Sequence, residues 1–205
     1  MLRTSEEFVT GFVLAGGLSS RMGTNKGLLD LNGATLVEHT RNLLVRLCER
    51  VCILGPADLY RGLGECFPDA YPGCGPLAGI HAALLNTKTR LNLITAVDTP
   101  FLTDDFLNYM LESAEANPSA AVTVPKIAGY VQPLCAVYTP DFLPVAEAAL
   151  RAGRYKIVPL FSEVETLVLG EEQLAPFALQ SGMFDNLNTP EDYENARRRF
   201  PDKKT

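Results

Sequence analysis

Short apolar runs alternate along this chain with segments of helical periodicity, and that alternation narrows the fold more than any other feature. Phe8 to Leu14, Arg50 to Leu54 and Leu91 to Val97 are largely apolar from end to end, the pattern of strands covered on both faces. Between the first two, Leu36, Thr40, Leu43, Leu44 and Leu47 fall on one face of a helix predicted over Leu36 to Leu47. Thr35-x-x-Glu38 supplies a capping box at its start. Strand, helix and strand in this order predict an α/β protein with a mostly parallel sheet.

The rest of the chain continues the pattern. Pro76 suits the first turn of a helix running through Leu85. Thr103-Asp104-Asp105 caps the helix after the third strand. Ala120 to Pro125 and Val131 to Val137 read as further strands that add an antiparallel element, and Thr189-Pro190-Glu191-Asp192 opens a C-terminal helix. No linker or internal repeat interrupts residues 1–205, so one domain is expected. A chain of this length buries roughly 70 % of its unfolded surface and needs no staples to fold.

Composition excludes several classes of function. With 18 Lys+Arg against 24 Asp+Glu the net charge is -6, which argues against a broad basic surface for nucleic acid. Glu6 and Glu7 before a short apolar run do not read as a signal peptide, and no run of 18 apolar residues suggests a membrane span. The five cysteines (Cys48, Cys52, Cys66, Cys74, Cys135) lack C-x-x-C spacing. With His39 and His81 the only histidines, a zinc cluster is not expected. Buried thiols in a reducing cytoplasm are the expectation, with Cys48 and Cys52 in the core and Cys135 inert in its strand. No G-x-S-x-G elbow or flanked histidine points to nucleophilic catalysis.

Ligands of open α/β sheets bind beyond the carboxyl ends of the strands, and two features fall there. After the first strand, Leu14-Ala15-Gly16-Gly17 leads through Ser19, Ser20 and Arg21 to Lys26. Glycines expose backbone amides, while Arg21 and Lys26 are cations suited to phosphate oxygens. The spacing is neither G-x-x-x-x-G-K-[ST] nor G-x-G-x-x-G. Alone, the residues leave two readings open, a phosphate loop and a surface turn with solvated cations. After the third strand, Asp98 is a magnesium ligand or a helix-entry aspartate. Thr103 already caps the next helix, which leaves Asp98 spare. Gly75-Pro76-Leu77-Ala78-Gly79 either admits a flat ring against the backbone or is a tightly packed helix start. Asn188 stands near the crevice or serves as a turn residue, and Arg151, Arg154 and Lys156 form a small cationic cluster.

With these residues in place the chain resembles the nucleotidyltransferases that activate sugars, isoprenoid precursors and molybdopterin, and within them the molybdenum cofactor guanylyltransferases, MobA-like enzymes. Leu14 to Gly17 with Arg21-Met22-Gly23 and Lys26, Gly75 to Ile80, Asp98 to Leu102, and Asn188 to Asp192 carry the resemblance, over roughly residues 8 to 197. It implies a Rossmann-like three-layer sandwich with a mostly parallel mixed sheet, a nucleotide-binding half over about 8–105 and an acceptor half over about 106–200. It implies transfer of GMP from GTP to molybdopterin with loss of pyrophosphate. Leu14, Ala15, Gly16, Gly17, Asp69 and Gly75 to Gly79 would bind the nucleotide. Lys26 and Arg21 would neutralise phosphates and Asp98 would hold Mg²⁺. The acceptor would meet Asn188, Arg154 and Lys156. A monomer is expected, in the cytoplasm that the thiols suggest, docking transiently to other cofactor-biosynthesis proteins and molybdoenzymes. The cytidylyl sister enzyme, using CTP, and a nucleotide- or pterin-binding module without turnover are the rivals. Two positions depart from the family: Asn25 replaces the usual aspartate, which should leave Lys26 less restrained, and Leu54-Gly55 stands where an asparagine follows the second strand.

Overall fold

In the computed structural model, which describes residues 8–16, 25–178 and 182–200, one eight-stranded sheet organises the chain. Its strands are β1 (Val9–Leu14), β2 (Arg50–Leu54), β3 (Glu65–Phe67), β4 (Leu91–Ala96), β5 (Val122–Ile127), β6 (Tyr130–Val131), β7 (Cys135–Tyr138) and β8 (Thr166–Leu169). The spatial order is β3-β2-β1-β4-β7-β5, with β6 and β8 both paired to β5. β1 to β4 run parallel, β7 runs antiparallel to both β4 and β5, and β8 is parallel to β5. The expected mixed, mostly parallel sheet is therefore the sheet observed.

The helices are α1 (Leu36–Leu44), α2 (Pro76–Asn86), α3 (Asp104–Ala116), α4 (Leu143–Arg151), α5 (Glu171–Ala178) and α6 (Pro190–Arg199). They cover both faces of the sheet. Val9 and Val13 of β1 point into the layer of α1, α3, α5 and α6. Phe12 and Leu14 point into the layer of α2 and α4. Every residue from Leu77 to Leu84 of α2 is buried, as befits a helix pressed between a sheet and a second helix.

Local signals predicted the starts of α1, α2, α3 and α6. Thr35 and Glu38 form a reciprocal capping box, with the Glu38 carboxylate accepting from Thr35 N at 2.7 Å. Thr103 accepts from Phe106 N at the start of α3. Two predicted elements are shorter than expected. α1 ends at Leu44 because the chain tightens there, Leu47 N and Cys48 N both donating to Leu44 O. The strand predicted over Val131 to Val137 is broken at Gln132–Leu134, where Pro133 has no N–H for a ladder and Cys135 N turns back to Gln132 O. All five cysteines are free, and burial pushes the Cys48 thiol up to about 12 and the Cys52 thiol up to about 11.

The sheet order decides where a site can form. From β1 the chain moves outward to β2 and β3, then crosses back to β4 on the other side of β1. The carboxyl ends of β1 and β4 thus flank the point where the order reverses, the crevice that such sheets use for ligands.

Candidate active site

At the end of β1, Ala15 N donates to Leu54 O at 2.9 Å and Val97 N to Leu14 O, so β2, β1 and β4 end in register. Gly16 follows against the turn after β2: a Cβ there would stand 3.3 Å from Leu54 O and 3.5 Å from Gly55 Cα, both backbone. Gly55, where the resemblance predicted an asparagine, is thus the residue that permits this approach. Gly17, Ser19, Ser20 and Arg21 lie outside the described residues.

The loop returns at Asn25 and closes on a single 3-10 turn, Lys26–Leu28. Asn25 Oδ1 caps that turn by accepting from Gly27 N at 2.9 Å. The buried Tyr60 hydroxyl stands 2.9 Å from Asn25 Oδ1 and 3.0 Å from Ala15 O. Desolvation raises the Tyr60 pKa, against a smaller opposing effect of Asn25, so the phenol stays a donor. One buried tyrosine thereby ties the returning loop to the end of β1, a role with no local cue in the sequence.

Lys26 is held accordingly. Its Nζ lies 3.1 Å from Asp98 Oδ2 and 2.9 Å from Asn188 Oδ1, residues 72 and 162 positions away along the chain. The Lys26 and Asp98 side chains are only 15 % and 24 % exposed, so this ion pair is partly shielded from water. With Asn25 in place of the family's aspartate, Asp98 and Asn188 are the partners that hold Lys26 here. Thr99 Oγ1 returns to Ala96 O and fixes the turn that carries Asp98. Leu187 N donates to Asp98 O at 2.9 Å, clasping that turn to the segment before α6. Asn188 is in turn held by Asp192, whose carboxylate accepts from Asn188 N at 3.0 Å and Thr189 N at 2.8 Å. Asp98, Thr99, Gln132, Pro133, Phe184 and Asn188 line a cleft of about 230 Å³ beside the cluster.

The nucleotide-side residues of the sequence reading gather across β1. Asp69 reaches between Gly16 and Gly79, its oxygens 3.7–3.8 Å from where a Cβ on either glycine would be. Burial raises its pKa, the expected response of a desolvated carboxylate. A Cβ at Gly79 would collide with the Leu14 side chain, so α2 sits as close to β1 as glycine allows. Gly75 opens α2 at φ 73, ψ -164, with no side chain capping the helix and Pro76 at its start.

The structure thus brings together Leu14, Ala15, Gly16, Asp69 and Gly79 on one side, and Lys26, Asp98 and Asn188 on the other. It does not bring Arg154 or Lys156 to this cluster. Arg154 is engaged with Glu163 at 2.6 Å in the exposed loop after α4, and Lys156 is exposed in the same loop. Tyr60 and Gln132 were not singled out from sequence, and Asp192 was read only as a first-turn acid of the C-terminal helix and part of the Asn188 to Asp192 motif. Its hold on Asn188 follows from the Thr189-x-x-Asp192 spacing, whereas Tyr60 and Gln132 had no local signal.

Nucleotidyltransferases of the kind this fold resembles typically use a divalent metal ion, and the residues present fit one. Two hard oxygens, Asp98 Oδ2 and Asn188 Oδ1, already converge on one cation, the Lys26 ammonium. Mg²⁺ is commonly held by one or two carboxylates with substrate phosphates and water. No cluster of three His, Cys, Asp or Glu side chains forms among the described residues, so substrate and water would complete such a shell.

The fold and this crevice define a nucleotidyltransferase of the Rossmann-like class. The structure of molybdopterin-guanine dinucleotide biosynthesis protein A from Archaeoglobus fulgidus superposes with a TM-score of 0.80 at 25 % identity, over 93 % of this chain and 98 % of that one. Residues 11–165 match the model of the MobA-like NTP transferase domain, and the chain belongs to that family. A probable molybdenum cofactor guanylyltransferase of Pelotomaculum thermopropionicum is 36 % identical over 92 % of this chain and 91 % of its own. The molybdenum cofactor guanylyltransferase of Syntrophotalea carbinolica is 30 % identical over 95 % and 93 %. No helix among the described residues is long and apolar enough to cross a membrane.

Proposed function

We propose that this enzyme transfers GMP from GTP to the phosphate of molybdopterin, forming a guanine dinucleotide and releasing pyrophosphate. The observation that carries the reading is the convergence of Lys26, Asp98 and Asn188 at the end of β4, in a chain whose full-length relatives bear the guanylyltransferase name. In this reading a phosphate oxygen of the acceptor attacks the α-phosphorus of GTP. The bond to the β-phosphate oxygen breaks and pyrophosphate departs.

The chain contributes positioning and charge rather than a covalent intermediate. Leu14 to Gly16 and Gly75 to Gly79 hold the nucleotide against bare backbone, with Asp69 between them to accept hydrogen bonds from its polar edge. Lys26 reaches the phosphates and neutralises charge that develops between the two reacting groups. Asp98 and Asn188 would hold Mg²⁺, which when bound supplies further neutralisation of the phosphate oxygens. Asn25 and Tyr60 fix the loop on which Lys26 travels. The five free thiols and acidic balance suit a reducing cytoplasm, where the product would pass to its users by local docking.

The test is pyrophosphate release from each nucleoside triphosphate in turn, with Mg²⁺ and molybdopterin. GTP is expected to support turnover. Release with CTP alone would assign the cytidylyl reaction instead, and none with any triphosphate would leave a binding module.

A further inference from the structure

A second cavity, of about 300 Å³, lies under the β5–β6 hairpin on the α3 and α5 face of the sheet. Phe106, Phe177 and Phe184 supply aromatic walls, and Tyr130 stands at its rim. It shares Gln132 and Phe184 with the cleft beside Asp98, so the two spaces adjoin. Resting on the guanylyl-transfer reading, we propose that this cavity receives the pterin ring of the acceptor while the acceptor's phosphate lies in the adjoining cleft at Lys26 and Asp98.

The chemistry of the walls selects a flat heteroaromatic ring. Aromatic side chains offer large, rigid contact area and favour edge or offset stacking with a planar ligand. Phe106 already meets Phe177 and Phe184 edge-on, with centroids 5.9 and 5.4 Å apart, so the three rings are mutually braced. The volume falls at the lower end of small-molecule sites, which suits a fused bicycle better than a long chain. Polar groups sit where a pterin edge needs them. The Gln132 side chain donates a long, 3.4 Å bond to Tyr130 O. Asp185, oriented by Arg199 at 2.9 Å, brings a carboxylate to the wall, a natural acceptor for the amino and ring N–H groups of a pterin.

The rim has no structural reason to be aromatic. Tyr130 is 76 % exposed in a two-residue strand, so its ring contributes little to the core. Its position is nonetheless fixed, because β6 pairs with β5 and Gly129 N donates to Glu171 Oε1 of α5 at 3.1 Å. An exposed but well-placed ring over an aromatic cavity is arranged to stack on what enters. The cavity also lies on the opposite face of the sheet from Asp69 and Gly79, separating the acceptor's ring from the nucleotide's base.

Two variants test this, Tyr130→Ala at the exposed rim and Phe184→Leu at the shared wall, each checked for an unchanged melting curve. The first readout is quenching of the intrinsic fluorescence of 6-carboxypterin, titrated without nucleotide. The second is the KM for molybdopterin and, separately, for GTP. Tyr130→Ala is expected to weaken pterin binding and raise the molybdopterin KM about tenfold, the scale of one lost stacking ring, with the GTP KM within twofold. If both variants bind pterin and molybdopterin within twofold of wild type while wild type still transfers GMP, the cavity is not the ring site and the activity stands. If wild type shows no turnover, the activity reading fails, and the pterin titration alone decides the cavity: quenching lost in the variants supports it, and none with wild type overturns it.

Discussion

The helices that follow Asn188 and Gly75 begin differently. α6 starts with its donors spent: Thr189 accepts from Asp192 N, and the Asp192 carboxylate accepts from Thr189 N and Asn188 N. The hydrogen bond from Thr189 leads the causes that lower the Asp192 pKa, with the two backbone bonds next and Lys26 adding a smaller part. α2 starts with no side-chain cap at all, on a glycine at φ 73 followed by proline. The position an anion favours at a helix start is therefore already filled by a carboxylate in α6 and left open in α2. In the proposed function, α6 is a fixture that aims Asn188 and, through Leu187 N, steadies Asp98, whereas α2 is a surface kept bare for the nucleotide.

The comparison breaks first if the residues that α6 aims are dispensable. Lys26→Ala and Asp98→Ala are each expected to lower kcat/KM by roughly a hundredfold or more, as loss of one charge-stabilising group does. Pyrophosphate release within threefold of wild type for both would remove the cluster from the reaction. A lesser effect should come from α2. At Gly75 no atom crowds an added Cβ, so Gly75→Ala tests backbone strain alone, about 1–3 kcal/mol for this region of φ and ψ. Chemical denaturation should find that loss, and the GTP KM should rise with little change in the molybdopterin KM.

The closed start of α6 gives smaller effects. Thr189→Ala removes a capping side chain and should cost about 1 kcal/mol, with a fall in kcat as Asn188 loosens. An unchanged kcat beside the stability loss would show that α6 holds Asn188 for folding alone. The smallest effect is one of pH. Because the folded-state pKa of Asp192 is lowered, its contribution is fully present above the ordinary carboxylate pKa and is lost as pH falls through the depressed value. Wild type should therefore lose more stability on acidification than Asp192→Asn does, measured as melting temperature against pH. Parallel curves would mean that the carboxylate carries no net linkage.

Legibility followed the range of the interaction. The capping boxes at Thr35 and Thr189 were readable because their partners lie three residues on. β1, β2 and β4 were readable as apolar runs. α4 and α5 were overlooked, the first because alanines mark its buried face and the second because Pro176 sits inside it. β3 and β8 escaped notice because three or four residues carry little periodicity. At the site, Asp98 and Lys26 stood out as a spare acid and a loop cation, and the family resemblance assigned their chemistry. Arg154 and Lys156 read from sequence only as a small cationic cluster, because sequence shows charge but not direction, and in the fold Arg154 pairs with Glu163 while Lys156 stands exposed.

The amino-acid sequence by itself determined the alternation of strands and helices, the capped starts and the glycines that let backbone approach backbone. These depend on neighbours within a few residues, whose energetics the local chain contains. Only the tertiary structure decided that one ammonium is shared by Asp98 and Asn188, that Tyr60 clamps the loop at Asn25, and that an aromatic hollow opens beside the cleft. Those arrangements join residues from distant parts of the chain, and the reversal of strand order at β1 and β4, set by packing the whole sheet, is what brings them within reach.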